Sequence, residues 1–285
     1  KQIDAVFDAV LGTVELTDPT EAVKVRKANL QRGEKFLKEL TDKRVAEAVA
    51  GGGEKKWFLF RMKGKDAGFM VRRDAPTHYE RTRGYETTMW VRMQLPGDRL
   101  RRSKRWMFVS ANRKIERWGE VLLVGSGASA TWMTEEGLRQ EDVILSNVNL
   151  QGKQDTRKNK VPEQFYLPRV LQVLLPGLID LKTPGGYAFA TYTTEGNRFA
   201  MHTFTVIGPD RITVADRRVQ AVRVTVQTDV TTEPSTLWLD EKGELLRMAS
   251  PEGLTMEPAT RTAILRRFAD ADKTLKELDT WPGKR

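Results

Sequence analysis

The chain has 285 residues, among them no cysteine and two histidines. These counts exclude disulfides, cysteine-ligated metal centres and cysteine nucleophiles, and they leave little for a histidine-based metal site. Hydrophobic residues make up 39% and charged residues 30%, which is typical of a globular chain. No run of about 18 apolar residues predicts a membrane-spanning segment.

Positive charge is concentrated in one part of the sequence. The net charge is +10, and residues 54–118 hold 18 Lys and Arg against 7 Asp and Glu. The peak is a predicted strand that follows a Pro-Gly turn, and its cations are Arg99, Arg101, Arg102, Lys104 and Arg105. They are candidates for binding anionic lipid or another acidic surface, and the alternative is the solvated outer face of a strand pair. Nucleic acid is a third alternative with less support, because Trp90 and Trp106 alternate with cations as stacking residues would.

The first 53 residues predict helices. Ile3, Val6, Phe7, Val10 and Leu11 recur at helical spacing, and Asp18-Pro19 begins a second helix that ends at Gly51-Gly52-Gly53. We therefore expect a helical leader, residues 1–53, that packs on a main domain of residues 54–285.

From Trp57 onward the apolar period changes to two, which indicates β-strands. In the strand that ends at Leu95, the residues Met89, Val91 and Met93 share one face, and Arg92 lies on the other. About a dozen such runs follow one another without α/β alternation, which predicts an antiparallel sheet.

Three further segments complete the prediction. Residues 151–160 are polar and without period, which predicts a loop, whereas residues 163–176 predict a short helix that is apolar nearly all round and therefore buried. Residues 259–279 predict a C-terminal helix. The expected fold class is α+β, a strongly curved antiparallel half-barrel of about a dozen strands wrapped on the internal helix, with helices at both termini.

The residues with catalytic potential fit ordinary structural roles. His78 and His202 have no second histidine or carboxylate at metal-ligand spacing, and Asp240-Glu241 lie in a predicted hairpin turn. Gly125-Ser126-Gly127 is too short for a phosphate-binding loop. We expect no enzyme activity, no catalytic residues, no metal and no cofactor.

Methionines in the predicted strands suggest a different function, because methionine adapts to irregular apolar partners. The residues expected to face one another across the fold, and so to line an apolar cavity, are Met89, Val91, Met93, Met107, Val109, Val170, Leu174, Val222 and Val224. Such a surface would accept an apolar or acyl ligand. The alternative is a solid core, in which case the protein would be an assembly module that binds a protein or polymer through its basic hairpin.

Two hairpins carry a family resemblance. The run Thr236-Leu237-Trp238-Leu239-Asp240-Glu241-Lys242-Gly243-Glu244-Leu245-Leu246-Arg247 resembles a late hairpin of the periplasmic lipoprotein-localisation-factor superfamily, and the opening residues 57–69 are similar to its first hairpin. The resemblance spans residues 57–258. It implies a non-enzymatic, periplasmic or secreted envelope protein whose half-barrel holds a lipid, an acyl group or a lipoprotein.

The start of the chain agrees with export but does not establish it. The first residue is Lys1, so we expect that an upstream segment was removed, either a signal peptide or residues outside the chosen boundaries. Nothing in the sequence indicates the oligomeric state.

Overall fold

The structure is a computed structural model that describes residues 19–49, 52–97, 99–125, 130–162, 164–193, 197–214, 216–229 and 233–280. Its helices are α1 (Pro19–Glu39), α2 (Asp42–Ala48), α3 (Arg169–Leu174), α4 (Arg261–Arg267) and α5 (Ala271–Thr280). Its strands are β1 (Lys55–Met62), β2 (Lys65–Tyr79), β3 (Thr82–Leu95), β4 (Arg99–Ser110), β5 (Ile115–Val124), β6 (Thr131–Gln140), β7 (Val143–Leu150), β8 (Lys153–Lys160), β9 (Gly185–Thr193), β10 (Arg198–Val214), β11 (Arg217–Thr228), β12 (Ser235–Leu239), β13 (Leu245–Ala249) and β14 (Leu254–Ala259).

Within the described residues, 14 strands form one antiparallel sheet in the order β8-β7-β6-β5-β4-β3-β2-β1-β14-β13-β12-β11-β10-β9. The predicted half-barrel-like antiparallel sheet is therefore confirmed, with two more strands than a dozen. The sheet does not close, because within the described residues no backbone ladder joins β8 to β9. Its two ends nevertheless approach each other, since Ser146 Oγ of β7 lies 3.2 Å from the Tyr192 hydroxyl of β9.

The prediction of a loop at residues 151–160 is wrong. Residues 153–160 form the edge strand β8, which pairs with β7 from Leu150↔Lys153 to Val143↔Lys160. Most of its side chains are exposed, so no buried face imposes an apolar alternation on the sequence. Three lysines on this edge are typical of strands that discourage further strand addition.

The internal helix is shorter than predicted. Helical turns begin at Arg169 and continue through Leu174 into a 3-10 turn, whereas residues 164–165 form a turn and Tyr166 bridges to Ala190 of β9. Pro168 explains this start, because the residue before a proline disfavours helical geometry. Val170, Leu171 and Leu174 are buried in the main hydrophobic core together with side chains of β3–β5, β7 and β9–β12.

Part of the predicted leader packs against the same core. Helix α1 ends at Glu39, and Thr41 then caps α2 by accepting a hydrogen bond from the Arg44 backbone N–H at 3.3 Å. The Phe36 ring packs edge-on against Phe189 of β9, with ring centroids 5.8 Å apart. Gly33 permits this approach, because a Cβ there would lie 2.2 Å from the Ala188 carbonyl oxygen. The helix predicted at residues 3–11 lies outside the described residues.

A second, smaller core covers the opposite face of strands β1–β3. Ile264, Phe268 and Leu275 of the C-terminal segment pack on Trp57 and Phe69. The single helix predicted at residues 259–279 is in fact the pair α4 and α5, since Phe268 leaves helical geometry at φ −130°, ψ 86°. We call the face under α4 and α5 convex and the face under α3 concave.

A buried ionic cluster fixes α3 to the sheet. The Arg169 backbone N–H donates to Glu116 Oε2 of β5 at 3.2 Å, and the Arg169 guanidinium lies 3.8 Å from Glu135 Oε1 of β6. The same guanidinium lies over the rings of Trp118 and Tyr192, 4.4 and 5.4 Å from their centroids. Both carboxylates are 0% exposed. Because isolated buried charges are very costly, these contacts determine where α3 can lie.

Burial raises the pKa of Glu116 to about 7 from its ordinary 4.5, although the guanidinium groups of Arg169 and Arg139 act in the opposite direction. The folded protein therefore binds a proton that the unfolded chain has released between these two pH values. As the pH rises from 5 to 8, the free energy of unfolding should fall. Glutamine does not titrate, so Glu116→Gln should lack this loss. Between pH 5 and pH 8, the difference in unfolding free energy between the variant and the wild type should shift in favour of the variant by about 2–3 kcal/mol, as measured by urea denaturation.

The matched control is Glu136→Gln, which removes an exposed carboxylate from β6. Its stability should follow the pH dependence of the wild type. Parallel pH curves for Glu116→Gln and wild type would contradict the assigned titration of Glu116.

Candidate functional site

The concave face is solid beside one side of α3 and hollow beside the other. On the hollow side there is a cavity of about 540 Å³ between α2, α3, strands β1 and β2, and strands β10–β14. This volume falls within the range of about 300–1,000 Å³ that ligand pockets usually have. Its lining comprises Arg44, Glu47, Ala48, Lys56, Phe58, Arg72, Gln172, Val173, Leu174, Pro176, Gly177, His202, Phe204, Val226, Leu237, Leu239, Lys242, Gly243, Glu244, Leu245 and Met256.

The cavity has an apolar floor and a charged rim. Phe58, Leu174, Phe204 and Leu239 are buried, and their neighbours in the lining, Val226 among them, are half-buried. The charged side chains stand further out, since Arg44, Glu47, Lys242 and Glu244 are exposed and Lys56 and Arg72 are half-buried. Such an arrangement favours an apolar molecule inside and a polar group at the opening.

Ion pairs neutralise part of this rim. Lys56 Nζ lies 2.6 Å from Glu244 Oε1, so a salt bridge crosses from β1 to the turn before β13. Arg72 Nε lies 2.7 Å from Asp74 Oδ2 within β2. The opening is therefore of mixed charge and not a strongly cationic site.

His202 lies on β10, between β9 and β11, and its imidazole is a titratable group in the cavity wall. Its lateral neighbours are Phe189 and Thr228, and its Nδ1 lies 3.2 Å from Thr228 Oγ1. Desolvation lowers the pKa of His202 to about 4, so its imidazole is neutral at neutral pH. The cavity wall thus carries a hydrogen-bonding group without a charge.

The nine residues predicted to line a cavity fall into three environments. Met107, Val109, Val170 and Val224 are buried in the main core, and Met89 and Val222 are half-buried against it. Val91 and Met93 are half-buried on the same face of β3 as Met89. Of the nine, Leu174 lines the cavity. A ligand contact at any of the nine stays a prediction.

The predicted methionine face, formed by Met89, Val91 and Met93 of β3, is nonetheless continuous with the cavity. Val91 pairs with Met70, Met70 with Phe58, and Phe60 with Met256 along successive strands of the concave face. Phe58 and Met256 line the cavity. The methionine face therefore leads sideways into the hollow part of the concave surface.

Sequence reasoning missed most of the lining because distant segments provide it. Phe58 and Met256 become neighbours through the pairing of β1 with β14, which joins two ends of the sequence. One local signal was available: Val226 continues the alternation of Val222 and Val224 to the next position on the same face, and it lines the cavity.

The predicted basic hairpin is largely neutralised. Arg102 Nη1 lies 3.0 Å from Glu277 Oε2 and Lys104 Nζ lies 2.8 Å from Asp279 Oδ1, both on α5. Arg105 pairs with Glu120 at 2.6 Å, whereas Arg99 is exposed and Arg101 half-buried. Counting charges along residues 54–118 could not include Glu277 and Asp279, because these carboxylates lie far beyond that segment in the sequence. Binding of anionic surfaces by this hairpin stays a prediction.

The described part of the chain has no helix long and apolar enough to cross a membrane. Among those same residues, no group of three or more His, Asp or Glu side chains is placed to hold a metal ion.

The sequence matches no family model and no curated protein. Among solved structures, a β-barrel-like protein of a domain of unknown function from Brucella abortus is similar at 14% identity and a TM-score of 0.49, over 72% of this chain and 93% of that one. The hypothetical lipoprotein YmcC from Escherichia coli is similar at 12% identity and a TM-score of 0.29, over 80% and 93%. Neither likeness bears on function, so membership of the lipoprotein-localisation-factor superfamily stays a prediction.

The α5 ion pairs generate a test of the basic hairpin. Glu277→Gln combined with Asp279→Asn should strengthen binding to phosphatidylglycerol vesicles at low salt, by about 1 kcal/mol for each cation released. Vesicle co-sedimentation measures this. A control with the same net charge combines Glu136→Gln with Glu241→Gln, two exposed carboxylates elsewhere. Equal binding by the two double variants would show that the hairpin does not contact the vesicle.

Proposed function

We propose that this chain is a non-enzymatic bacterial envelope protein that holds an apolar or acyl ligand in the cavity of its half-barrel. The sheet wraps on α3, and the ligand occupies the space between α3 and strands β10–β14. The single observation that carries the proposal is a cavity of about 540 Å³ with an apolar floor in the concave face. Periplasmic or secreted location belongs to the same proposal.

The packing around α3 supports a hollow that persists. Arg169, Val170 and Leu171 of the helix are buried, whereas Gln172 and Val173 line the cavity and are half-buried. Because the ionic cluster at Arg169 holds the helix on the β5 and β6 side, α3 is not free to collapse toward β10–β14. The cost of an unfilled apolar cavity then favours a ligand that fills it.

The assembly-module alternative rests on a solid core and a free basic hairpin. The concave face holds a cavity beside the core, and three of the five hairpin cations are paired with carboxylates. Both observations favour ligand binding over charge-driven assembly.

Filling the cavity tests the proposal. Val226→Trp places an indole in the half-buried wall of β11 and should abolish binding of the neutral dye N-phenylnaphthylamine, followed by its fluorescence. Overpacking should cost about 1–3 kcal/mol of unfolding free energy, so the variant should still fold.

Thr225→Trp is the matched control, because position 225 is on the opposite face of the same strand. It should bind the dye as the wild type does. Wild-type protein that binds neither the dye nor any lipid in native mass spectrometry would contradict the proposed function, as would unchanged dye binding by Val226→Trp.

A further inference from the structure

The wall of the cavity contains a neutral hydrogen-bonding group whose position selects among apolar ligands. We propose that His202 recognises the hydroxyl group of an uncharged apolar alcohol whose hydrocarbon part fills the cavity. This inference rests on the proposed function and names the class of ligand.

His202 lies beside buried aromatic side chains. It lies on β10 two residues before Phe204, which is 2% exposed, and laterally beside Phe189, which is 0% exposed. It lines the same cavity as the apolar side chains of the floor. The side chain of His202 is half-buried, so a ligand that fills the cavity meets the imidazole beside these aromatic rings.

One of the two ring nitrogens of His202 is hydrogen-bonded to Thr228. Within the described residues its partner is Thr228, which bonds through Nδ1 at 3.2 Å and leaves Nε2 for a ligand. If the threonine hydroxyl donates to Nδ1, Nε2 carries the proton and donates; if Nδ1–H donates, Nε2 accepts. A hydroxyl group both donates and accepts, so it satisfies His202 in either tautomer.

The absence of charge on His202 disfavours a carboxylate at this position. Desolvation lowers the pKa of His202 to about 4, so the imidazole offers no positive charge to a buried anion above that pH. The cations of the cavity lie on other elements than β10, namely α2, β1, β2 and the turn before β13: Arg44, Lys56, Arg72 and Lys242. An unpaired carboxylate beside Phe189 and Phe204 would bear its full desolvation cost.

The test compares three ligands of equal chain length: dodecanol, chlorododecane and dodecanoate. Each displaces N-phenylnaphthylamine from the full chain at neutral pH. The wild type should bind dodecanol roughly threefold to tenfold more tightly than chlorododecane, as expected for one hydrogen bond, and more tightly than dodecanoate. His202→Phe should bind the two uncharged ligands equally, while His202→Gln should keep part of the preference.

His78→Phe is the matched control, since the other histidine is exposed and should leave the preference unchanged. The wild-type preference should also persist from pH 8 to pH 5, because the imidazole stays neutral above about pH 4. This pH series and His202→Gln decide the matter if His202→Phe does not fold.

Equal binding of dodecanol and chlorododecane by the wild type would overturn the inference. So would an unchanged preference in His202→Phe, or tightest binding of dodecanoate. In each of these outcomes the dye still binds, so the proposed function stands. A wild-type protein that does not bind the dye overturns the proposed function and this inference together.

Discussion

The placement of α3 depends on Arg169. The backbone N–H of Arg169 donates to Glu116 of β5, and its guanidinium lies 3.8 Å from Glu135 of β6 and against the ring of Tyr192 of β9. Those strands are near opposite ends of the sheet order, so one side chain joins the two ends that the backbone leaves open. A buried ion pair adds little net stability on its own, but removal of either partner is very costly. The cluster therefore acts as a positional constraint on the helix and on the curvature of the sheet.

This constraint divides the concave face. On the β3–β5 side of α3 the interior is solid, with Met107, Val109 and Val170 at most 2% exposed. On the β10–β14 side lies the cavity, whose rim includes charged residues of α2 and of the turn before β13. The proposed ligand would supply the packing that the protein itself lacks there, while the convex face is covered by α4 and α5.

The fold class and the concave face could be predicted from sequence because they depend on local periodicity. The alternation in β3 placed Met89 on the core side, and the apolar run within residues 163–176 marked a buried helix, which the structure has at Arg169–Leu174. Strand β8 was missed because its exposed polar residues carry no period. The cavity was missed because Phe58 and Met256 meet only through the long-range pairing of β1 with β14, which no local pattern encodes.

The central claim is that the hollow beside α3 is a ligand site. The most direct measurement is a crystal structure of the chain soaked with bromododecanol, with data collected at the bromine absorption edge. Anomalous density is expected within the cavity between α3 and strands β10–β14, with the hydroxyl group within hydrogen-bonding distance of His202 Nε2. Ordered water throughout the cavity, with bromine bound elsewhere or not at all, would contradict a ligand site there.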